Sequence, residues 1–464
     1  KGGDLTVDFV GSLEGAAKVV SRLYRGDKRL VFCDSRSKVE ELAGQLVAAG
    51  VRTFVSHSSL SAADRRAAEQ AFAEERDCVI VATSTLELGI DVGDLDHVIQ
   101  IDAPGTVSSL LQRMGRTGRR PGSTRNCTFL ATDDEGLLLA LALCRLLTEG
   151  YTEPIEAPGD PWHIVAQQAM ASVLEAGAEG IGLTEWRARV ADQFPELPAS
   201  DIHQLCQNLL DADILQLQDQ LVGFGVTGEK LYGRRHFLDL CSSFTTPPVL
   251  RVRFGARDLG FVDPVSVLGR EGPAVLSLAG RAWRVTSLDW RPRIAWVEPA
   301  SGEAKTRWQG TSRALSGKVA AAMKQVLMKD PVGCKTSSRA DVRLEQLREQ
   351  FDFLTEDTTE IVVDESGEAE WWTLASVVRP GTTAQSDDLS IRLAGESVPS
   401  RDHLLIALET WTPSEVAVRS FSEELKFAKC LPSNLLRSCV SARLFDSAGA
   451  LRSVSTVPVV CHPG

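Results

Sequence analysis

Short apolar runs recur through the first 131 residues, at 29–33, 52–55, 78–82, 97–101 and 127–131. Helical patterns fall between several of them, such as 37–49 and 62–72. Runs this short and this apolar read as strands buried on both faces. Strands that alternate with helices predict a parallel α/β sheet. That expectation constrains the chain most, because such a sheet gathers its ligand-binding groups at the C-terminal ends of its strands.

The remaining chain changes character. A Pro- and Gly-rich linker at 151–160 precedes helices at 162–176, 185–194 and 199–211, then a hairpin at 214–224. Thr184 and Ser200 are expected as N-caps. Three helices and a hairpin suggest a winged helix. Its third helix carries Asp201, His203, Gln204, Gln207, Asn208 and Asp211, which is not a basic face, so a packing module is expected rather than a major-groove reader. Strand patterns follow at 249–254, 274–278, 283–288 and 294–297, then a helix at 316–328 and mixed α+β sequence to residue 464. The fold class expected is multidomain, α/β plus α+β. The boundaries expected are 1–150, 151–234 and 235–464, the last β-rich to about 310 and mixed after it.

Bulk properties exclude some classes. No run approaches the ~20 apolar residues of a membrane helix, so no membrane partner is expected. The ten cysteines include no CxxC, which disfavours zinc and a disulfide framework and suggests reduced thiols in a cytoplasmic setting. No metal site is expected in this chain. Lys1-Gly2-Gly3-Asp4 has no signal-peptide character and reads as a start in mid-protein. A net charge of −12 argues against a surface coated with phosphate-binding cations. It still allows a groove that tracks a backbone through a few donors.

The strongest chemical signal is Gln112-Arg113-Met114-Gly115-Arg116-Thr117-Gly118-Arg119. Arginines three apart on a helical turn would point the same way, and guanidinium suits charge on a transferring phosphoryl group. Upstream, Ala82-Thr83-Ser84-Thr85-Leu86-Glu87-Leu88-Gly89-Ile90-Asp91 directly follows a strand. Thr83 and Ser84 could donate to phosphates there. Asp91 could accept from a ribose or position an arginine, and Glu87 is expected in a plain salt bridge. Ser35 and Arg36 open a helix after the first run, where a backbone phosphate can bind. Ser56-His57-Ser58-Ser59 ends the second run; by itself His57 would be a satisfied structural histidine. Trp308, beside Lys305, Arg307 and Gly310, is the best candidate to stack on a base, whereas Trp283 and Trp296 sit in strand patterns and are expected in the core. Asp133-Asp134-Glu135-Gly136 reads as a turn and helix N-terminus.

The order and spacing of these clusters resemble motifs IV, V and VI of superfamily 2 helicases, and the wording of the last two resembles the large helicase-related (Lhr) family. Gln167-Gln168, Tyr232-Gly233, Leu278-Ala279-Gly280-Arg281 with Trp283, Trp308-Gln309-Gly310, Trp371-Trp372-Thr373 and Lys426-Phe427 extend the resemblance over most of the chain. It implies a second RecA-like domain, a winged helix and an Lhr-type C-terminal domain. It implies an ATP-dependent 3′-to-5′ translocase that unwinds DNA duplexes or RNA–DNA hybrids, in DNA repair or related processing. Position by position, it implies Arg116 and Arg119 as an arginine-finger pair, Gln112 at the nucleotide cleft and Gly89 and Asp91 facing nucleotide. Ser35, Arg36, His57, Ser59, Thr83 and Ser84 would face a single DNA strand.

Two positions depart from the family pattern: Ser58 replaces a glycine, and Leu374-Ala375-Ser376 follows the Trp-Trp-Thr run. No GxxxxGK[ST] phosphate loop occurs in the 464 residues. ATP and Mg²⁺ would therefore be held mainly by a first RecA-like domain, a partner outside this sequence, and the chain alone is expected not to hydrolyse ATP. The alternative is a non-catalytic nucleic-acid-binding or scaffold module derived from a helicase.

Overall fold

The computed structural model describes residues 3–87, 95–119, 121–155, 157, 159–232, 237–245, 249–268, 274–300, 304, 306, 315–356, 358–363, 369–372, 390–393, 412–444 and 459–461. The chain forms two compact units, each built from two separate stretches: 1–154 with 248–360, and 155–247 with 361–462. This corrects the expected division, because the stretch from 235 onward does not stay together.

The first stretch runs β1 (Asp4–Phe9), α1 (Leu13–Val20), β2 (Lys28–Phe32), α2 (Arg36–Ala48), β3 (Thr53–Ser56), α3 (Ala62–Glu74), β4 (Cys78–Ala82), β5 (His97–Ile101), α4 (Val107–Met114), β6 (Asn126–Ala131) and α5 (Asp134–Thr148). Each expected apolar run is a strand. The sequence reading missed β1, whose apolar signal is interrupted by Asp4, Thr6 and Asp8. Asp133 caps α5 by accepting from the Gly136 amide at 2.7 Å, as its sequence suggested.

The second stretch comprises α6 (Trp162–Ala176), β7 (Ile181–Gly182), α7 (Leu183–Gln193), α8 (Ala199–Asp211), β8 (Leu215–Gln218), β9 (Leu221–Phe224) and α9 (Val226–Tyr232). Its small sheet has the order β7-β9-β8. Both cap expectations fail here. α7 and α8 begin earlier, after Gly182 and Pro198, and neither has a side-chain cap. The third stretch holds β10 (Leu250–Phe254), β11 (Arg257–Val262), β12 (Val275–Leu278), β13 (Arg281–Asp289), β14 (Ile294–Pro299), α10 (Gly317–Met328), β15 (Lys335–Thr336) and α11 (Ser338–Gln350). The fourth holds β16 (Glu360–Val363), β17 (Ala369–Trp372), β18 (Ser390–Leu393), α12 (Glu415–Glu424), α13 (Ser433–Leu444) and β19 (Val459–Cys461). Among the described residues, no helix is long and apolar enough to cross a membrane.

In the first unit, seven strands align in the order β15-β1-β6-β5-β2-β4-β3, and every pairing is parallel. Parallel strands bring all their C-terminal ends to one edge of the sheet. A five-stranded sheet, β11-β10-β14-β13-β12, shares a core with it. Val31, Leu42, Val55 and Val81 from one side join Leu250, Val252, Trp283 and Val297 from the other. Trp283 is buried as expected; Trp296 is not, because alternation along β14 turns it to the opposite face, where it is half-buried.

In the second unit, residues far apart in sequence meet. The rings of Tyr232 and Phe427 lie 5.5 Å apart, within one apolar cluster that includes Trp162, Trp186 and Cys439. The polar face of α8 is occupied: Gln204 exchanges two amide hydrogen bonds with Asn434, and Asn208 donates to the Cys430 carbonyl at 2.9 Å.

Candidate functional site

Three neighbouring strands, β3, β4 and β2, end in Ser56-His57-Ser58-Ser59, Thr83-Ser84 and Asp34-Ser35-Arg36. Ser58, Ser84 and Ser35 are exposed, one at each strand end. Adjacent strands are ~4.8 Å apart, so the three loops that carry these hydroxyls leave the sheet edge in a row, side by side. The Ser35 hydroxyl accepts from the Lys38 amide at 3.1 Å and caps α2, which leaves its own proton to donate. Ser58 has no left-handed backbone, so serine in place of glycine strains nothing there. Thr83 is buried and its amide donates to the Ser56 carbonyl at 3.3 Å, while Thr85 Oγ1 donates to the same oxygen at 3.2 Å.

Arg36 and Ser59 are brought together: Nη1 donates to the serine Oγ at 2.7 Å. The Ser59 loop is fixed from the other sheet. Its carbonyl accepts the Phe261 amide at 2.6 Å, and a bridge joins Leu60 to Gly260. Gly260 has φ +145°, and a Cβ there would lie 2.1 Å from the Ser59 carbonyl oxygen. The backbone passes so close that only glycine fits.

His57 turns away from this edge, which corrects the expectation that it faces a bound strand. Its side chain is fully buried, and Nε2 bonds Glu40 Oε1 at 2.8 Å. Glu40, also buried, takes the amides of Ala279 and Gly280 at 2.7 Å each, and Ser277 Oγ at 3.2 Å. Ala279 and Gly280 have φ of +58° and +70°, so the Leu278-Ala279-Gly280-Arg281 segment is a two-residue hairpin turn of the I′ type joining β12 to β13. One carboxylate thus ties the hairpin to the loop after β3. Replacing Glu40 with alanine strands several buried donors and is expected to cost about 3 kcal/mol. Urea unfolding of the chain checks this, and a loss below about 1 kcal/mol would contradict it.

The arginine-rich turn has its own buried centre, and that centre is Arg113. Its Nη1 lies 2.8 Å from Asp34 Oδ1, and its Nη2 2.6 Å from Glu87 Oε1. Gln100 also accepts from Arg113, and the guanidinium sits 5.0 Å from the centre of the Phe32 ring. Burial pulls the Arg113 pKa down, but Asp34 and Glu87 outweigh it and hold it above its ordinary value. Glu87 is therefore in the salt bridge its sequence suggested. The helix ends at Met114, so Arg116 and Arg119 lie beyond it rather than on a helical turn. Arg116 is buried and donates to the Glu87 carbonyl; burial first, then the like charge of Arg119, lowers its pKa. Arg119 is exposed, with Nε donating to the Gly115 carbonyl at 3.1 Å. Gln112 is exposed too. Gly118, with φ +71°, turns the chain between the two arginines. Two guanidiniums so placed suit a polyphosphate anion. Gly89, Asp91 and Trp308 lie outside the described residues. Among the described residues no cluster of His, Cys, Asp and Glu could hold a metal ion.

Glu153 anchors the start of α4. Its carboxylate accepts the Val107 and Ser108 amides at 2.7 and 2.9 Å and the Ser108 hydroxyl at 3.0 Å. Burial alone would raise its pKa, but the two amides and the hydroxyl outweigh it and hold the group below its ordinary value. A depressed carboxylate adds stability above its unfolded pKa and loses it as pH falls through the folded value. Glu153→Gln is expected to cost under ~1 kcal/mol at pH 7, the group being partly solvated. The gap from the parent should close below about pH 4, read from urea midpoints across pH.

The chain is similar to several known proteins. The model of the helicase conserved C-terminal domain matches residues 15–121. The chain is 28% identical over 271 residues to the Lhr helicase/uracil glycosylase of Escherichia coli, covering 55% of this chain and 17% of that protein. It is 31% identical over 213 residues to the ATP-dependent helicase Lhr-Core of Saccharolobus solfataricus, covering 44% and 23%. The matches span less than a quarter of either relative's length. In fold, it resembles the Mycobacterium smegmatis helicase Lhr bound to ssDNA and AMP-PNP, with a TM-score of 0.63 at 19% identity over 100% of this chain and 70% of that one.

Proposed function

The chain belongs to the Lhr family of superfamily 2 helicases, and from that premise we propose that it supplies the second RecA-like half of an ATP-driven motor. The motor moves 3′ to 5′ along single-stranded DNA and separates DNA duplexes or RNA–DNA hybrids in repair or related processing. The observation that carries this reading is the row of exposed hydroxyls at the ends of β3, β4 and β2, with Arg36 bound to Ser59 beside it. Such donors hold phosphates and fix register without reading bases. His57 acts here through Glu40 as a positioning residue.

The same reading puts Arg116 and Arg119 at the nucleotide, with Gln112, Gly89 and Asp91 around it. ATP, when bound, supplies the phosphoanhydride whose cleavage drives movement. Arg116 and Arg119 neutralise charge at that group, and Arg113 holds their turn against β5 and the loop after β4. The first RecA-like domain of the motor would hold Mg²⁺ and the phosphates, and the 464-residue chain would not hydrolyse ATP alone. Residues 151–234 serve as a winged-helix packing module, Trp308 as a stacking residue, and the protein works in the cytoplasm.

Strand displacement by the complete motor on 3′-tailed and 5′-tailed substrates tests the reading. Faster displacement from 3′ tails is expected. A preference for 5′ tails, or vigorous ATPase activity of the isolated chain, would overturn it.

A further inference from the structure

The five-stranded sheet has a second face, turned away from the shared core. In β10 and β14 the residues alternate: Leu250, Val252, Ala295 and Val297 are buried, so Arg251, Arg253, Ile294 and Trp296 stand on the other side. Register places Arg251 between Phe261 of β11 and Ile294 of β14, and Arg253 between Asp258 and Trp296. The guanidinium of Arg251 lies 5.9 Å from the Phe261 ring centre, and that of Arg253 5.5 Å from the Trp296 ring centre. Two guanidinium–aromatic levels therefore follow one another about 7 Å apart along the strands.

The charge of this segment runs against that of the chain. Residues 248–300 contain eight arginines, no lysine and five acidic residues, in a protein of net charge −12. Two of the acids are matched in place: Asp258 pairs with Arg253 at 2.9 Å, and Glu298 stands opposite Arg284. Arg251 is exposed. Guanidinium over an aromatic ring can simply stabilise a sheet surface. Arginine used to the exclusion of lysine, beside half-buried aromatic rings, suits a ligand with both flat faces and phosphates. The face also adjoins the strand-end loops, since the Phe261 amide is bonded to the Ser59 carbonyl.

We propose that this outward face binds single-stranded nucleic acid, with bases stacking on Trp296 and Phe261 and phosphates meeting Arg251 and Arg284. The site is separate from the strand-end row and needs no nucleotide, so it can be tested on the 464-residue chain whether or not the motor reading holds.

The probe is fluorescein-labelled dT20, titrated by anisotropy, with an abasic oligomer of the same length as the phosphate-only control. Trp296→Ala is expected to weaken dT20 binding about tenfold and to leave the abasic oligomer within twofold. Trp296→Phe should restore most of the loss. Arg251→Gln should weaken both probes and lower the salt slope by about one. Crosslinking of a bromodeoxyuridine version, mapped by mass spectrometry, should mark peptides within 250–296. Unchanged dT20 affinity in a folded Trp296→Ala chain would overturn the proposal. So would crosslinks confined to residues 35–84.

Discussion

Arg113→Ala is expected to destabilise the first unit by about 3–5 kcal/mol, because removing one partner leaves buried opposite charge uncompensated. Glu87 is buried and would lose its cation, Gln100 would lose its donor, and Asp34, more exposed, would recover part of its hydration. Arg113→Lys should recover little, since a point charge cannot serve Asp34, Glu87 and Gln100 with one planar fork. Thermal and urea unfolding decide it. A variant within about 1 kcal/mol of the parent would show that the buried cluster is not a structural hub.

Arg116→Ala is expected to act on rate instead. In the complete motor it should lower ATP turnover at least ~10³-fold, the scale of an arginine finger. Stability should fall less than for Arg113→Ala, because Arg116 bonds the Glu87 carbonyl rather than compensating the buried carboxylates that Arg113 serves. The contrast separates the two neighbours: Arg113 holds the turn, and Arg116 is the one the proposed function sets at the nucleotide. Turnover that survives within tenfold would remove Arg116 from that role.

Local patterns made much of the first sheet legible. Apolar runs without alternation mark strands covered on both faces, and 78–82 and 97–101 match β4 and β5 to the residue. The Asp133 cap and the Glu87 ion pair followed from short-range chemistry. Which arginine of the Gln112–Arg119 run turns inward did not, since spacing is blind to where the helix stops. Glu40 was invisible for another reason. Three of its partners, Ser277, Ala279 and Gly280, lie 237 to 240 positions away, and a lone glutamate in a helix gives no hint of them. The fate of His57 depended on that glutamate. Trp296 was misjudged because a strand pattern shows that a residue alternates, not which face is covered.

The interleaving of the two units bears on how the chain is made. A ribosome delivers residues 1–154 long before 248–360, so the first sheet emerges without the strands that cover Val31, Leu42 and Val55. Residues 155–247 follow, yet α8 must wait for Cys430 and Asn434. Each unit is still open when the other begins, and neither can close until synthesis has passed its second stretch. Exposed apolar surface of that kind is what aggregation exploits. No single scission of this polypeptide yields two finished bodies, so fragments ending near 247 should aggregate more readily than the whole chain.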